Sequence, residues 1–129
     1  MSQDNVDLIR RSLSAFAAGE ILWDTIDEDV EVHDHDILDA GEYRGHAGFT
    51  RWMEDWGAGL PVVSLDLEEF IDAGDAVVVV FVLKARARGS SVDVERRDGI
   101  VYHCRNGRIV RLDYYNSRRQ AVEAAGVAE

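Results

Sequence analysis

The chain has 129 residues, 47% of them hydrophobic and 30% charged, which is the size and balance of one globular domain with one core. Its 25 Asp and Glu against 14 Lys and Arg leave a formal charge of -11, a surface that repels phosphate backbones and anionic headgroups and so argues against nucleic acid and membrane as partners. The single cysteine, Cys104, closes no internal disulfide, and no Cys/His finger spacing exists; a secreted disulfide scaffold and a zinc ribbon both drop out, and a reducing cytoplasm is the expected compartment.

Val6, Ile9, Leu13, Phe16 and Ala17 follow helical spacing, with Ser2 or Asp4 as cap and Gly19 as stop. A short second helix is expected around Ile21, Leu22, Trp23 and Ile26, and Val30 to Asp34 alternates like a strand. Asp39 to Gly45 reads as a loop, after which Phe49, Trp52, Met53, Trp56 and Leu60 mark a third helix ended by Pro61.

The period then changes to two. Val63, Leu65 and Leu67 form one strand, and Asp72-Ala73-Gly74-Asp75 is a hairpin signal. The next strand keeps its odd positions apolar, from Val77 to Ala87, while its even positions turn from Val78, Val80 and Val82 to Lys84, Arg86 and Arg88; the odd face is the expected core face. Gly89-Ser90-Ser91 makes another turn, and the apolar phase shifts at Gly99, which suggests a bulge. Asn106-Gly107 signals a tight hairpin, the last strand runs from about Arg108 to Asn116, and Ser117 to Gln120 has capping-box spacing for a short helix ending near Gly126. The longest apolar run, Ala76 to Leu83, is far below the ~20 residues of a membrane span, and the N-terminus has no signal-peptide pattern.

These elements imply one α+β domain over residues 1–129: a curved antiparallel or mixed sheet wrapped around three N-terminal helices, cone-shaped with an internal pocket, and closed by a short C-terminal helix. The residues resemble the nuclear-transport-factor-two-like superfamily, especially its SnoaL-like polyketide cyclase and ketosteroid isomerase branches. The marks are Phe16 to Glu20, Asp27 to Glu31, Tyr43-Arg44-Gly45-His46-Ala47-Gly48, Phe70 to Asp75, Asn106 to Val110 and Ala121 to Gly126. They are packing and turn residues, so they speak for fold more than for chemistry.

On the first strand Val30, Val32 and Asp34 share one face, so an acid joins an apolar row; if that row lines the pocket, desolvation raises the carboxyl pKa toward that of a general base. The resemblance selects the same residue, because Val32-His33-Asp34 is similar to the strand on which ketosteroid isomerases carry their proton-moving aspartate. It also shows departures: Ser12 stands where the oxyanion-stabilising tyrosine is expected, and the partner acid falls near Gly99, which argues against a true steroid isomerase.

On the last strand Val110, Leu112 and Tyr114 form the apolar row that Asn116 continues, making Tyr114 and Asn116 candidates to orient a carbonyl or hydroxyl, with Tyr43 and His103 as further polar groups. Val32 and Leu112 lie in the same rows, and Trp23, Trp52, Trp56 and Phe81 are the aromatic candidates for holding a flat or cyclic apolar ligand. His33 and His35 point away from Asp34 and Asp36, so the His-Asp-His-Asp run splits its ligands and no metal site is expected. His103 and Cys104, as strand neighbours, point apart and make no dyad.

The expected activity is a cofactor-free isomerisation or cyclisation of an apolar carbonyl compound with Asp34 as base. The alternative is a non-catalytic module of the same fold that binds a hydrophobic ligand or serves as a dimeric interaction unit. Epoxide hydrolysis is weaker: the Arg-x-Asp of limonene-type hydrolases is missing from Lys84 to Arg88, and Arg96-Arg97-Asp98 lies one strand later. The resemblance further implies a homodimer through the outer sheet face, with Arg111, Asp113 and Tyr115 pairing across the two-fold axis.

Overall fold

A computed structural model of the chain describes residues 2–35, 41–59, 62–86, 89 and 93–127. Helix α1 (Ser2–Ala17) leads through one turn of 3-10 helix (Trp23–Thr25) into strand β1 (Ile26–Asp34). Then come β2 (Gly41–Arg44), α2 (Gly45–Gly59), β3 (Val62–Asp72), β4 (Ala76–Arg86), β5 (Asp93–Arg105), β6 (Arg108–Tyr115) and α3 (Arg118–Ala124). The six strands make one curved sheet in the order β2-β1-β6-β5-β4-β3. It is mixed, because β1 and β6 run parallel while every other pair is antiparallel.

Both hairpin signals hold. β3 turns into β4 across Ala73 to Asp75, where Gly74 takes φ +81°, and β5 turns into β6 through Asn106 (φ 54°) and Gly107 (φ 74°), the left-handed pair a two-residue hairpin needs. The capping signal also holds: the Ser117 hydroxyl accepts the backbone N–H of Gln120, and the Gln120 side chain accepts that of Asn116, one residue before the cap.

Four expectations change. The second helix is a single 3-10 turn, in which the Thr25 hydroxyl bonds the Leu22 carbonyl instead of leaving the backbone to continue. Residues 41–44, expected as loop, add a short edge strand to β1, with Val32 paired to Tyr43. The phase shift at Gly99 is no bulge, since β4 and β5 stay in register from Arg86/Asp93 to Ala76/His103. Gly99 instead makes room for α3: a Cβ there would sit 2.7 Å from the Ala121 Cβ. The bulge lies where β5 meets β6, between His103/Arg111 and Cys104/Ile109; it puts Ile109 in the core, 2% exposed, and leaves Val110, the residue expected there, only half-buried. Ala87, Pro61, Ser90 and Ser91 lie outside the described residues.

The sheet therefore has two covered faces. On the inner face, α1 (Val6, Ile9, Leu13) and α2 (Phe49, Trp52, Met53) pack over Val30, Val32, Val77, Val79, Phe81, Leu83, Ile100, Tyr102, Leu112 and Tyr114. On the outer face, Ala121 and Val122 of α3 cover Ala76, Val78, Val80 and Val101, so the valines of the even row of β4 are buried as well as the odd core row. No helix among the described residues is long and apolar enough to cross a membrane.

Candidate active site

Between α1, α2 and the inner sheet face lies a cavity of about 310 Å³. Leu65, Leu67, Val79, Phe81, Leu83, Ile100, Ile109 and Leu112 form its floor, and Leu13, Phe49, Trp52 and Met53 its roof. Helices too few to cover a six-stranded sheet leave such a space, and aliphatic floor residues keep it apolar. Phe16, expected in the core, is 42% exposed yet lines this space, which places it at the mouth. Polar groups in the lining are sparse: Ser12, Tyr102, Tyr114 and the Trp52 indole.

Asp34 is 3% exposed and continues the buried row of Val30 and Val32, as the strand parity requires. It does not itself line the cavity; Trp52, which does, donates its Nε1–H to Asp34 Oδ2 at 2.8 Å. In the parallel pairing of β1 and β6, Asp34 stands beside Tyr114. Tyr114 is 5% exposed, lines the cavity, packs edge-on against Trp52 and Phe81, and donates its hydroxyl to the carboxylate of Asp98. Burial, and then the Asp98 charge, push the Tyr114 phenol well above its ordinary pKa, so its proton stays in place.

Asp98 is fully buried and completes a chain of polar contacts that sequence reasoning treated only as a fragment of an epoxide hydrolase pattern. Arg96 lies 3.1 Å from its Oδ2 and reaches the Asn116 side-chain oxygen at 3.4 Å. Because β5 carries no bulge at Gly99, Arg96, Asp98, Ile100 and Tyr102 share one parity, and the acid falls on the inner face next to Tyr114. Reading Gly99 as a packing residue, not a kink, is the signal that would have found it.

The remaining candidates scatter. Leu112 and Phe81 line the cavity, and Val32 is buried in the same core layer without lining it. Asn116 serves Arg96 just past the end of β6. Trp23, 36% exposed, covers His46 at 4.6 Å between ring centroids, and His46 in turn bonds the Ile26 carbonyl at 2.8 Å. Tyr43 donates to Asp55 at 2.9 Å on the exposed side of α2. Trp56 is part of α2, and its side chain lies outside the described residues.

His103 faces away from the cavity, because its neighbour Tyr102 occupies the inner parity. It lies 3.3 Å from Asp113, which also bonds His35 at 2.9 Å and both Nε and Nη2 of Arg111 at 2.9 and 3.0 Å. Burial alone raises the Asp113 pKa, but the His103, Arg111 and His35 hydrogen bonds outweigh it and hold the carboxyl well below the usual carboxylate range. Arg111 and Asp113, expected to pair across a two-fold axis, are thus paired within the chain. Burial lifts the Cys104 thiol to about 11, away from the thiolate form that reactivity requires.

Solved structures share this architecture. An NTF2-like protein of unknown function from Burkholderia pseudomallei superposes with TM-score 0.78 at 19% identity, covering 93% of this chain and 95% of that one. TerC, co-crystallised with polyporic acid, gives 0.79 at 21% identity over 95% and 98%. A candidate SnoaL-like polyketide cyclase from Jannaschia sp. CCS1 gives 0.74 at 18% identity over 98% and 94%. No curated protein sequence matches. At these identities the likeness is one of fold, but the sequence pattern of the SnoaL-like domain matches residues 9–112, from the middle of α1 to the cavity floor on β6, and this chain belongs to the SnoaL-like domain family.

Proposed function

We propose that this protein binds a flat or cyclic apolar carbonyl compound in the inner cavity and shifts one of its protons with Asp34 as general base, a cofactor-free isomerisation or cyclisation. One observation carries the reading: a carboxylate only 3% exposed stands on the inner face beside Tyr114, tethered by the Trp52 indole that forms the cavity wall. A base needs a fixed position and a dry neighbourhood, and both follow from this contact. The aromatic wall of Phe49, Trp52, Phe81 and Tyr114 suits a ring-bearing ligand.

The test uses a ketone whose α-protons report the chemistry. In D₂O, exchange at the α-carbon of 1-tetralone is followed by NMR with the wild-type protein and with Asp34→Asn. Acceleration by the wild type that Asp34→Asn loses, with tetralone affinity retained, supports the assignment. No acceleration despite binding turns the balance to the second reading, a non-catalytic carrier of apolar molecules. That reading has its own observation, since Asp34 stands behind Trp52 and outside the lining. Association into homodimers belongs to the proposal as well, and sedimentation at micromolar concentration decides it.

A further inference from the structure

The polar donors in the cavity wall are unequal. The Trp52 N–H is committed to Asp34 and the Tyr114 O–H to Asp98. The Ser12 and Thr25 hydroxyl oxygens lie 3.1 Å apart, and the Thr25 oxygen also bonds the Leu22 carbonyl. The Ser12 hydroxyl is thus paired with that of Thr25, within the chain. Three of the four polar side chains in the lining therefore have a hydrogen-bond partner within the chain.

Tyr102 is the fourth. It stands on β5 with its ring in the inner core layer and is 4% exposed, and its hydroxyl has no hydrogen-bond partner among the described residues. No fully enclosed side-chain oxygen or nitrogen among those residues lacks a partner, so the Tyr102 oxygen is not sealed in protein; it opens onto the cavity that the residue lines. Burial, and then the neighbouring Cys104, raise the phenol pKa above its ordinary value, so this donor keeps its proton across the physiological range. An unpaired hydroxyl in an apolar wall is unfavourable until something accepts from it.

We propose that the Tyr102 hydroxyl anchors the ligand by donating a hydrogen bond to the carbonyl oxygen of an apolar compound seated in the cavity. A carbonyl suits this site because one donated bond satisfies it, whereas a ligand hydroxyl brings a further proton that needs an acceptor of its own in a lining made mostly of carbon. The assignment rests on the reading of the cavity as the ligand site and adds the residue that recognises the polar atom.

A matched pair of probes tests it: 2-acetylnaphthalene, and 2-isopropenylnaphthalene, which replaces C=O by C=CH₂ at nearly the same shape. By calorimetric titration, the wild type binds the ketone roughly 3- to 10-fold tighter than the hydrocarbon, the size of one net hydrogen bond. Tyr102→Phe brings that ratio to about one with the hydrocarbon affinity unchanged, and Ser12→Ala leaves the ratio as in the wild type. The infrared carbonyl stretch of the bound ketone lies at lower frequency in the wild type than in Tyr102→Phe, a readout that a merely structural tyrosine would not move. A ratio that survives Tyr102→Phe, or that disappears in Ser12→Ala, overturns the proposal. Equal binding of the two probes by the wild type overturns it while leaving the cavity as a ligand site, and binding of neither removes the ligand site itself.

Discussion

Asp113 on the outer face of the sheet and Asp34 and Asp98 on the inner face are all below 5% exposure, yet their surroundings have little in common. Asp113 receives four hydrogen bonds from Arg111, His35 and His103, which tie β1, β5 and β6 together. Asp34 takes the neutral Trp52 indole, and Asp98 the Tyr114 phenol with Arg96 behind it. A carboxylate saturated by cationic and imidazole donors is a fixed anion with no capacity left. Asp34 and Asp98 are instead held from behind by two aromatic side chains, Trp52 and Tyr114, that themselves line an apolar cavity. The first arrangement serves the fold, and the second can serve chemistry.

The sharpest way to break this contrast is to neutralise one acid on each face. Asp34→Asn is expected to lower proton-exchange activity by roughly 10²- to 10⁴-fold, the usual contribution of a general base, with a small change in urea midpoint. Asp113→Ala is expected to do the reverse: about 2 kcal/mol lost in urea unfolding, because Arg111, His35 and His103 lose a shared charged partner but are exposed enough to find water, with probe binding retained. If Asp113→Ala abolishes activity while the fold stays intact, the division between faces is wrong.

A pH series sharpens the outer half. The Asp113 pKa is lowered in the folded state relative to its ordinary 3.8, so below about pH 4 the unfolded chain takes up a proton that the folded chain refuses. The stabilisation from Asp113 is present in full above that range and falls as acid is added. Unfolding free energy measured from pH 5 downward should decline more steeply in the wild type than in Asp113→Asn.

Much of this division could be read from the sequence, and the failures have a common cause. Strand parity put Asp34 on the Val30–Val32 side and separated His103 from its neighbours, because alternation is a local property of any strand. The register between strands is not local. Val110 was exchanged for Ile109 by a bulge that β6 makes against β5, and Gly99 resembled a bulge because α3, which fills the space, comes later in the chain. The same misreading hid Asp98 and Tyr102, since an extended β5 without a kink puts both on the inner face with Ile100. Tyr102 announced nothing by composition. Its place in the proposal comes from the pairing of the three other polar side chains in the lining, which only the folded arrangement reveals.

Gly99 gives a prediction of intermediate size that separates stability from ligand recognition within one strand. Gly99→Ala drives a methyl group to 2.7 Å from the Ala121 methyl and is expected to cost about 1–3 kcal/mol as α3 shifts outward. Ala121→Gly, mildly unfavourable alone because glycine weakens a helix by about 0.5–1 kcal/mol, should restore most of the loss in the double variant. The ketone-to-hydrocarbon ratio should stay unchanged throughout, because the strain is released on the outer face.

The smallest expected effect lies at the cavity mouth. Phe16 is 42% exposed although it sits on the apolar stripe of α1, so its ring is already half in water and Phe16→Ala should cost no more than about 1 kcal/mol in unfolding, well below a core phenylalanine. Its place in the lining gives it a different consequence. With the ring removed the mouth widens, and a bound naphthyl ketone should both enter and leave a few-fold faster in stopped-flow measurements of tryptophan fluorescence. The equilibrium preference for the ketone over the hydrocarbon should not move, because the hydroxyl proposed to read the carbonyl belongs to Tyr102 on β5 and not to α1. If Phe16→Ala changes that preference while leaving the exchange rates alone, the mouth is elsewhere and the path into the cavity must be redrawn.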